Sequence, residues 1–133
     1  MKRYWVGGHT KHRLRYHIVW VPKYRQRTLR GNLGIRVKGL IYEGCQGNRW
    51  WAERVIVKED HVHLLIQIQP EDSVSEVVRV LKGTTSRVIQ KEHPELQEFM
   101  WGDNFWAIGY FAETVGPVDE KIIKKYLDDQ FQV

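Results

Sequence analysis

The stretch Asp60-His61-Val62-His63-Leu64-Leu65-Ile66-Gln67-Ile68-Gln69 decides how this chain is read. Its polarity alternates with the period of a strand that has one wet face and one dry face. His61, His63, Leu65, Gln67 and Gln69 then share one side, and Val62, Leu64, Ile66 and Ile68 cover the other. Residues i and i+2 of a strand sit roughly 6.5 Å apart on the same side. Two neutral imidazoles held that way can turn lone pairs on one cation. The pattern also fits two surface histidines on a half-buried strand, so the pair takes its meaning from the rest of the chain.

Working outward, residues 14–22 alternate Leu14, Tyr16, Ile18 and Trp20 against Arg15, His17, Val19 and Val21, and predict a first strand. Leu33, Val37, Leu40 and Ile41 have helical spacing. Gly31, Gly34, Gly39 and Gly44 weaken that helix by about 1 kcal/mol each, and Gly47-Asn48 ends it. Residues 49–58 and 61–69 read as two strands joined at Glu59-Asp60, a hairpin-length connection. Ser73-Val74-Ser75-Glu76 has the form of a capping box. After it, Val74, Val77, Val78, Leu81, Val88 and Ile89 mark a helix up to His93-Pro94. Residues 105–115 predict a fourth strand, broken by Gly116-Pro117, and a last helix follows at about 119–131. The first six elements give a ferredoxin-like βαββαβ fold of the α+β class. Its sheet would be four-stranded and antiparallel with helices on one face. The His-bearing strand would lie centrally, with its polar face open to a ligand. Nothing reads as a repeat or linker, so residues 1–133 are expected to form one domain, with the last helix attached.

The 133 residues are 42% hydrophobic, enough for a core, and carry 21 Lys+Arg against 16 Asp+Glu, a net charge of +5. The excess is uneven. Lys2, Arg3, Lys11, Arg13, Arg15, Lys23, Arg25, Arg27 and Arg30 precede the first acidic residue, Glu43. A one-signed N-terminal third favours an anionic partner. The single Cys45 excludes an intramolecular disulfide and a cysteine-rich zinc module. No apolar run reaches the roughly 20 residues that span a bilayer, so a cytoplasmic protein is expected.

In the last helix, Tyr126 and Gln130 are one turn apart on the same face, beside a ridge of Ile123, Leu127 and Phe131. The spacing fits a core aromatic next to Ile122 and Ile123 as well as an exposed pair. The chemistry that would use the pair together with the histidines is phosphoryl transfer to tyrosine. A phenolate can attack a DNA phosphodiester in line and keep the bond as a phosphotyrosine. A divalent cation neutralises and positions the phosphate. Two imidazoles and an amide oxygen supply three neutral ligands and leave positions open. Magnesium is the expected ion, with manganese a natural substitute where nitrogen donors are present. Asp60 is placed either to orient an imidazole or to act as base. Arg13, Lys23 and Arg25, with Arg79, Lys82, Ser86 and Arg87 on the polar side of the second helix, are the candidate DNA contacts. No Gly-x-x-x-x-Gly-Lys loop is present to hold a nucleotide cofactor.

Taken in order, these residues resemble the small single-tyrosine HUH transposases of bacterial and archaeal insertion sequences. The resemblance rests on the His61-Val62-His63 signature and on Tyr126 with Gln130. Tyr16-His17-Ile18-Val19-Trp20-Val21-Pro22-Lys23-Tyr24-Arg25, Leu81-Lys82-Gly83-Thr84-Thr85-Ser86-Arg87, Phe105 to Phe111 and Thr114-Val115-Gly116 extend it over nearly the whole chain. It implies a strand transferase that acts on single-stranded DNA at hairpins near the element's ends. Tyr126 would be the nucleophile of a 5′-phosphotyrosine intermediate, and His61, His63 and Gln130 the metal ligands. It also implies a homodimer in which the tyrosine helix of one subunit completes the histidine pair of the other, with Gly116-Pro117 as the pivot. The glycine-rich segment 31–47 departs from the family pattern. Two rivals remain at this point. One is a non-catalytic ferredoxin-like module that stacks single-stranded nucleic acid on Tyr16, Trp20, Trp50, Trp51, Trp101 or Trp106. The other is a domesticated relative that processes hairpin DNA with the same residues.

Overall fold

A computed structural model describes residues 5–6, 11–99, 104–115 and 128. Its main sheet uses Leu14–Trp20 (β1), Trp51–Lys58 (β2), His61–Ile68 (β3) and Phe111–Thr114 (β4). Helices Gly31–Gly47 (α1) and Val74–Glu92 (α2) complete the βαββαβ order. The strands run in the spatial order β2-β3-β1-β4, every neighbouring pair antiparallel. This is the expected α+β architecture, with the first and third strands central. A two-stranded ribbon, Trp5–Val6 with Lys11–His12, stands apart from the sheet.

The alternation in β3 is realised as read. Val62, Leu64, Ile66 and Ile68 are buried against the helices, in one core with Ile18, Trp20, Val37, Ile41, Val77, Leu81 and Ile89. The four pairs Trp20–Val62, Ile18–Leu64, Tyr16–Ile66 and Leu14–Ile68 are direct cross-strand neighbours, which sets the register of β1 on β3. Glu59-Asp60 is the two-residue turn between β2 and β3.

Helix α1 forms despite its glycines because its apolar stripe (Leu33, Val37, Leu40, Ile41, Cys45) faces the core. Two of those glycines mark close approaches. A Cβ on Gly34 would lie 2.9 Å from the Leu29 carbonyl oxygen, and one on Gly44 would lie 2.9 Å from the Leu81 side chain of α2. The Ser73 cap of α2 is made, with its hydroxyl accepting the Glu76 amide at 3.2 Å. The reciprocal half of the capping box is absent, since the Glu76 carboxylate pairs with Arg79 instead.

The fourth strand is shorter than the predicted 105–115. Only Phe111–Thr114 joins the sheet in regular register, with an isolated bridge between Pro22 and Trp106 upstream. Between them the chain leaves the edge. Gly109 takes φ +94° and Ile108 is fully exposed. The ammonium of Lys82 donates to the Ala107 and Gly109 carbonyls at 2.7 and 3.1 Å, satisfying acceptors that a ladder would otherwise pair. The helix expected at 119–131, with Gly116-Pro117, Tyr126 and Gln130, lies outside the described residues apart from Asp128, which is helical. Trp101 also lies outside them.

Candidate active site on the open face of the sheet

The second face of the sheet carries no helix among the described residues, and its polar side chains come from all four strands. His61 and His63 lie on it side by side, two residues apart on central β3. Asp60, at the end of the hairpin turn, accepts a hydrogen bond from His61 Nδ1 at 3.0 Å on one carboxylate oxygen. Its other oxygen accepts from Arg25 Nε at 2.9 Å. Burial pushes the Asp60 carboxyl up, but the His61 hydrogen bond and the Arg25 charge outweigh it and hold the carboxyl below its usual range. Asp60 is therefore ionised at neutral pH and accepts only. His61 must then carry a proton on Nδ1, so that in the neutral ring the lone pair is on Nε2.

Arg25 reaches Asp60 because the chain turns sharply after β1. Tyr24 and Arg25 both take left-handed backbone, φ 59° and 50°, in the short 3-10 turn Lys23–Arg25. Non-glycine residues adopt that region at a cost of about 1–3 kcal/mol, so the surrounding contacts have to hold the turn. The Arg25–Asp60 pair is shielded, with 7% and 12% of the two side chains exposed.

His63 meets a third imidazole. His17 of β1 places its Nδ1 2.9 Å from His63 Nε2. Burial, then the His17, His61 and Arg54 charges, lower the His63 pKa to about 4, so its ring is neutral at physiological pH. Burial also lowers His17, against the opposing influence of Glu113. Farther along the face, Arg15 grips Glu53 with both Nε and a terminal nitrogen at 2.7 and 3.1 Å, and Gln67 donates to the same carboxylate at 3.3 Å.

Imidazole nitrogens are suitable donors for a borderline divalent cation, and the face fits such an ion in its chemistry. Among the described residues no three His, Cys, Asp or Glu side chains gather as a metal cage. Two imidazoles alone would leave the other positions of such an ion to further ligands. The pair was legible in the sequence. The roles of His17 and Arg25 were not, because both arrive through strand pairing from residues 46 and 35 positions away.

On the helical side, Arg79, Lys82, Ser86 and Arg87 line one groove with Asn104 and Tyr110, of about 760 Å³. Lys82 and Ser86 are occupied within it. Ser86, 4% exposed, accepts the Phe105 amide at 2.9 Å and a Gln90 amide hydrogen at 2.8 Å. Thr85 accepts the Trp106 indole N–H at 2.8 Å. Arg79 and Arg87 are exposed, Arg79 in an ion pair with Glu76. Lys23 and Arg13 are half-buried. Of the tryptophans that a stacking module would use, Trp20, Trp50 and Trp106 are core residues.

A four-stranded antiparallel βαββαβ sheet with helices on one face and two histidines on the other is an α+β fold with a candidate site on its open side. The family model "Transposase IS200 like" matches residues 10–130. The chain belongs to the IS200-like transposase family. It is 32% identical to the ISDra2 transposase TnpA of Deinococcus radiodurans, over 90% of this chain and 85% of that protein. It is also 32% identical to the transposase for insertion sequence element IS200 of Salmonella typhimurium, over 94% and 82%. A crystal structure of a Deinococcus radiodurans transposase superposes with a TM-score of 0.85 at 28% identity, covering 98% of each chain. A REP-associated tyrosine transposase bound to a REP hairpin shares the fold, with a TM-score of 0.59 at 12% identity, over 96% of this chain and 67% of that one. No helix among the described residues is long and apolar enough to cross a membrane.

Proposed function

We propose that this transposase cuts and rejoins single-stranded DNA at hairpin-marked element ends, through a phosphotyrosine on Tyr126. The observation that carries the reading is the pair His61 and His63, adjacent on the open face, with His61 held by Asp60 and the His63 ring neutral. The phenol oxygen of Tyr126 would bond to phosphorus as the bond from phosphorus to the 3′ oxygen breaks. The released 3′ oxygen takes up a proton, and the DNA 5′ phosphate stays on the enzyme. Attack by another strand's 3′-hydroxyl reverses these bonds and frees the tyrosine without ATP. His61, His63 and Gln130 would hold magnesium or manganese, which supplies phosphate neutralisation and orientation. Both oxygens of Asp60 are engaged, which favours a role in orienting His61 over accepting the phenol proton. Arg13, Lys23 and Arg87 would contact phosphates, with Arg79 available once released from Glu76. Lys82 and Ser86 would shape the groove by holding residues 105–109, and Arg25 would serve DNA through Asp60. The active form would be a homodimer whose tyrosine helix completes the partner's site.

The test is to incubate the protein with labelled top strand, bottom strand and duplex of its own element, with Mg²⁺ or Mn²⁺. Cleavage of one single strand, with label trapped on protein, is expected. Tyr126→Phe should keep hairpin binding and lose both products. Efficient cutting of duplex, cleavage that survives a chelator, or an adduct that survives Tyr126→Phe would overturn the reading.

A further inference from the structure

We infer that His17 is a positioning residue for the histidine pair: its Nδ1 accepts the Nε2–H of His63, which fixes that ring and leaves Nδ1 of His63 as the lone pair for a divalent cation. The inference rests on the metal reading proposed above and assigns a residue outside the His61-Val62-His63 signature. His17 is not opposite His63 in the sheet. The direct partners of His63 are Val19 on β1 and Ile56 on β2, both apolar, so neither can orient an imidazole. His17 faces Leu65 and reaches His63 on the diagonal, a distance that ring side chains span. The two rings are tilted by 41° with centroids 5.1 Å apart, and the close approach is nitrogen to nitrogen at 2.9 Å. That is hydrogen-bond geometry. It is also shielded, because His17 is only 6% exposed.

Two neutral imidazoles in this contact share one proton, and the surroundings choose its owner. His17 Nε2 is buried and has no hydrogen-bond partner among the described residues. Glu113 is the direct partner of His17 on β4, and of the charges acting on the ring its carboxylate is the strongest, ahead of the opposing Arg15 and of Glu53. With Nδ1 committed to His63, a net negative surrounding favours an N–H on the remaining nitrogen, Nε2, over a second lone pair. With Nε2 protonated, Nδ1 of neutral His17 can only accept, and His63 must donate from its Nε2. Asp60 does the corresponding work on His61 through the other nitrogen. The two adjacent rings are thus held by different partners, and each keeps one free lone pair.

The experiment compares wild type, His17→Phe and His17→Asn. Phenylalanine keeps a flat ring without nitrogen, while the asparagine amide oxygen can accept where Nδ1 did. Mn²⁺ binding by calorimetry should weaken 10–100-fold in His17→Phe, the usual cost of losing a group that orients a metal-bound histidine. His17→Asn should recover most of it. Metal-free hairpin binding should be the same in all three. Nitrogen-15 spectra of the metal-free wild type should show His63 protonated on Nε2, and that measurement stands even if a variant fails to fold. Wild-type Mn²⁺ affinity in His17→Phe, equal losses in the two variants, or a proton on His63 Nδ1 would each overturn the assignment. A wild-type protein that bound no Mn²⁺ at all would instead remove the metal reading beneath it.

Discussion

Asp60 shows how much one side chain can settle. A single carboxylate accepts from His61 and Arg25 on separate oxygens, and so fixes a tautomer and anchors a strained turn together. Asp60→Ala should therefore weaken Mn²⁺ binding 10–100-fold. Arg25→Ala leaves the carboxylate shielded without its guanidinium, and should cost stability as well, on the order of 3–5 kcal/mol for one partner of a buried pair. Chemical denaturation of both variants, alongside Mn²⁺ titration, checks this. Equal metal affinity in Asp60→Ala and wild type would deny the carboxylate its orienting role. At this scale the sequence was partly legible. His61, His63 and the neighbouring Asp60 can be read from the ten positions 60–69 because strand alternation is local. His17 and Arg25 cannot, since their roles exist only once β1 pairs with β3.

Among the elements, α1 is the one whose sequence argues against itself. Its glycines divide by environment. Gly34 is pressed against the Leu29 carbonyl, whereas a Cβ on Gly39 would meet nothing within 4 Å. Gly39→Ala should raise stability by about 0.5–1 kcal/mol, the helix-propensity difference, because it adds no clash. Gly34→Ala should lower it, since a backbone oxygen at 2.9 Å cannot move aside cheaply. Thermal melts of the two variants should shift in opposite directions, and like shifts would refute this account. Helical spacing of apolar residues outweighed five glycines, so the element could be read despite its composition. The edge strand was misjudged in length for a different reason. Phe105 to Val115 has the residues of a strand, but the carbonyls at 107 and 109 are claimed by Lys82 from α2. A tertiary contact of that kind leaves no trace in local pattern.

For the whole molecule, Cys45 is a sensitive reporter. Burial raises its pKa from 9.0 to about 12. Between those values the unfolded chain has released a proton that the folded chain keeps. Stability should then fall as pH rises, by about 1.4 kcal/mol per unit from this group. The difference between wild type and Cys45→Ala in denaturant midpoints from pH 9 to 11 isolates it, and parallel profiles would contradict the burial argument. The antiparallel pairing of β2 with β3 has a further consequence, which concerns the order of assembly. That hairpin closes over a two-residue turn and needs little chain entropy, while β1 must find β3 across an intervening helix and strand. The two histidines should therefore be aligned early in folding, and their supports from β1 should arrive last. In pulse-labelling hydrogen exchange, amides of 51–68 should gain protection before those of 14–20. A nascent chain would then present paired imidazoles, His61 already held by Asp60 and His63 not yet held by His17, before it can hold a strand of DNA.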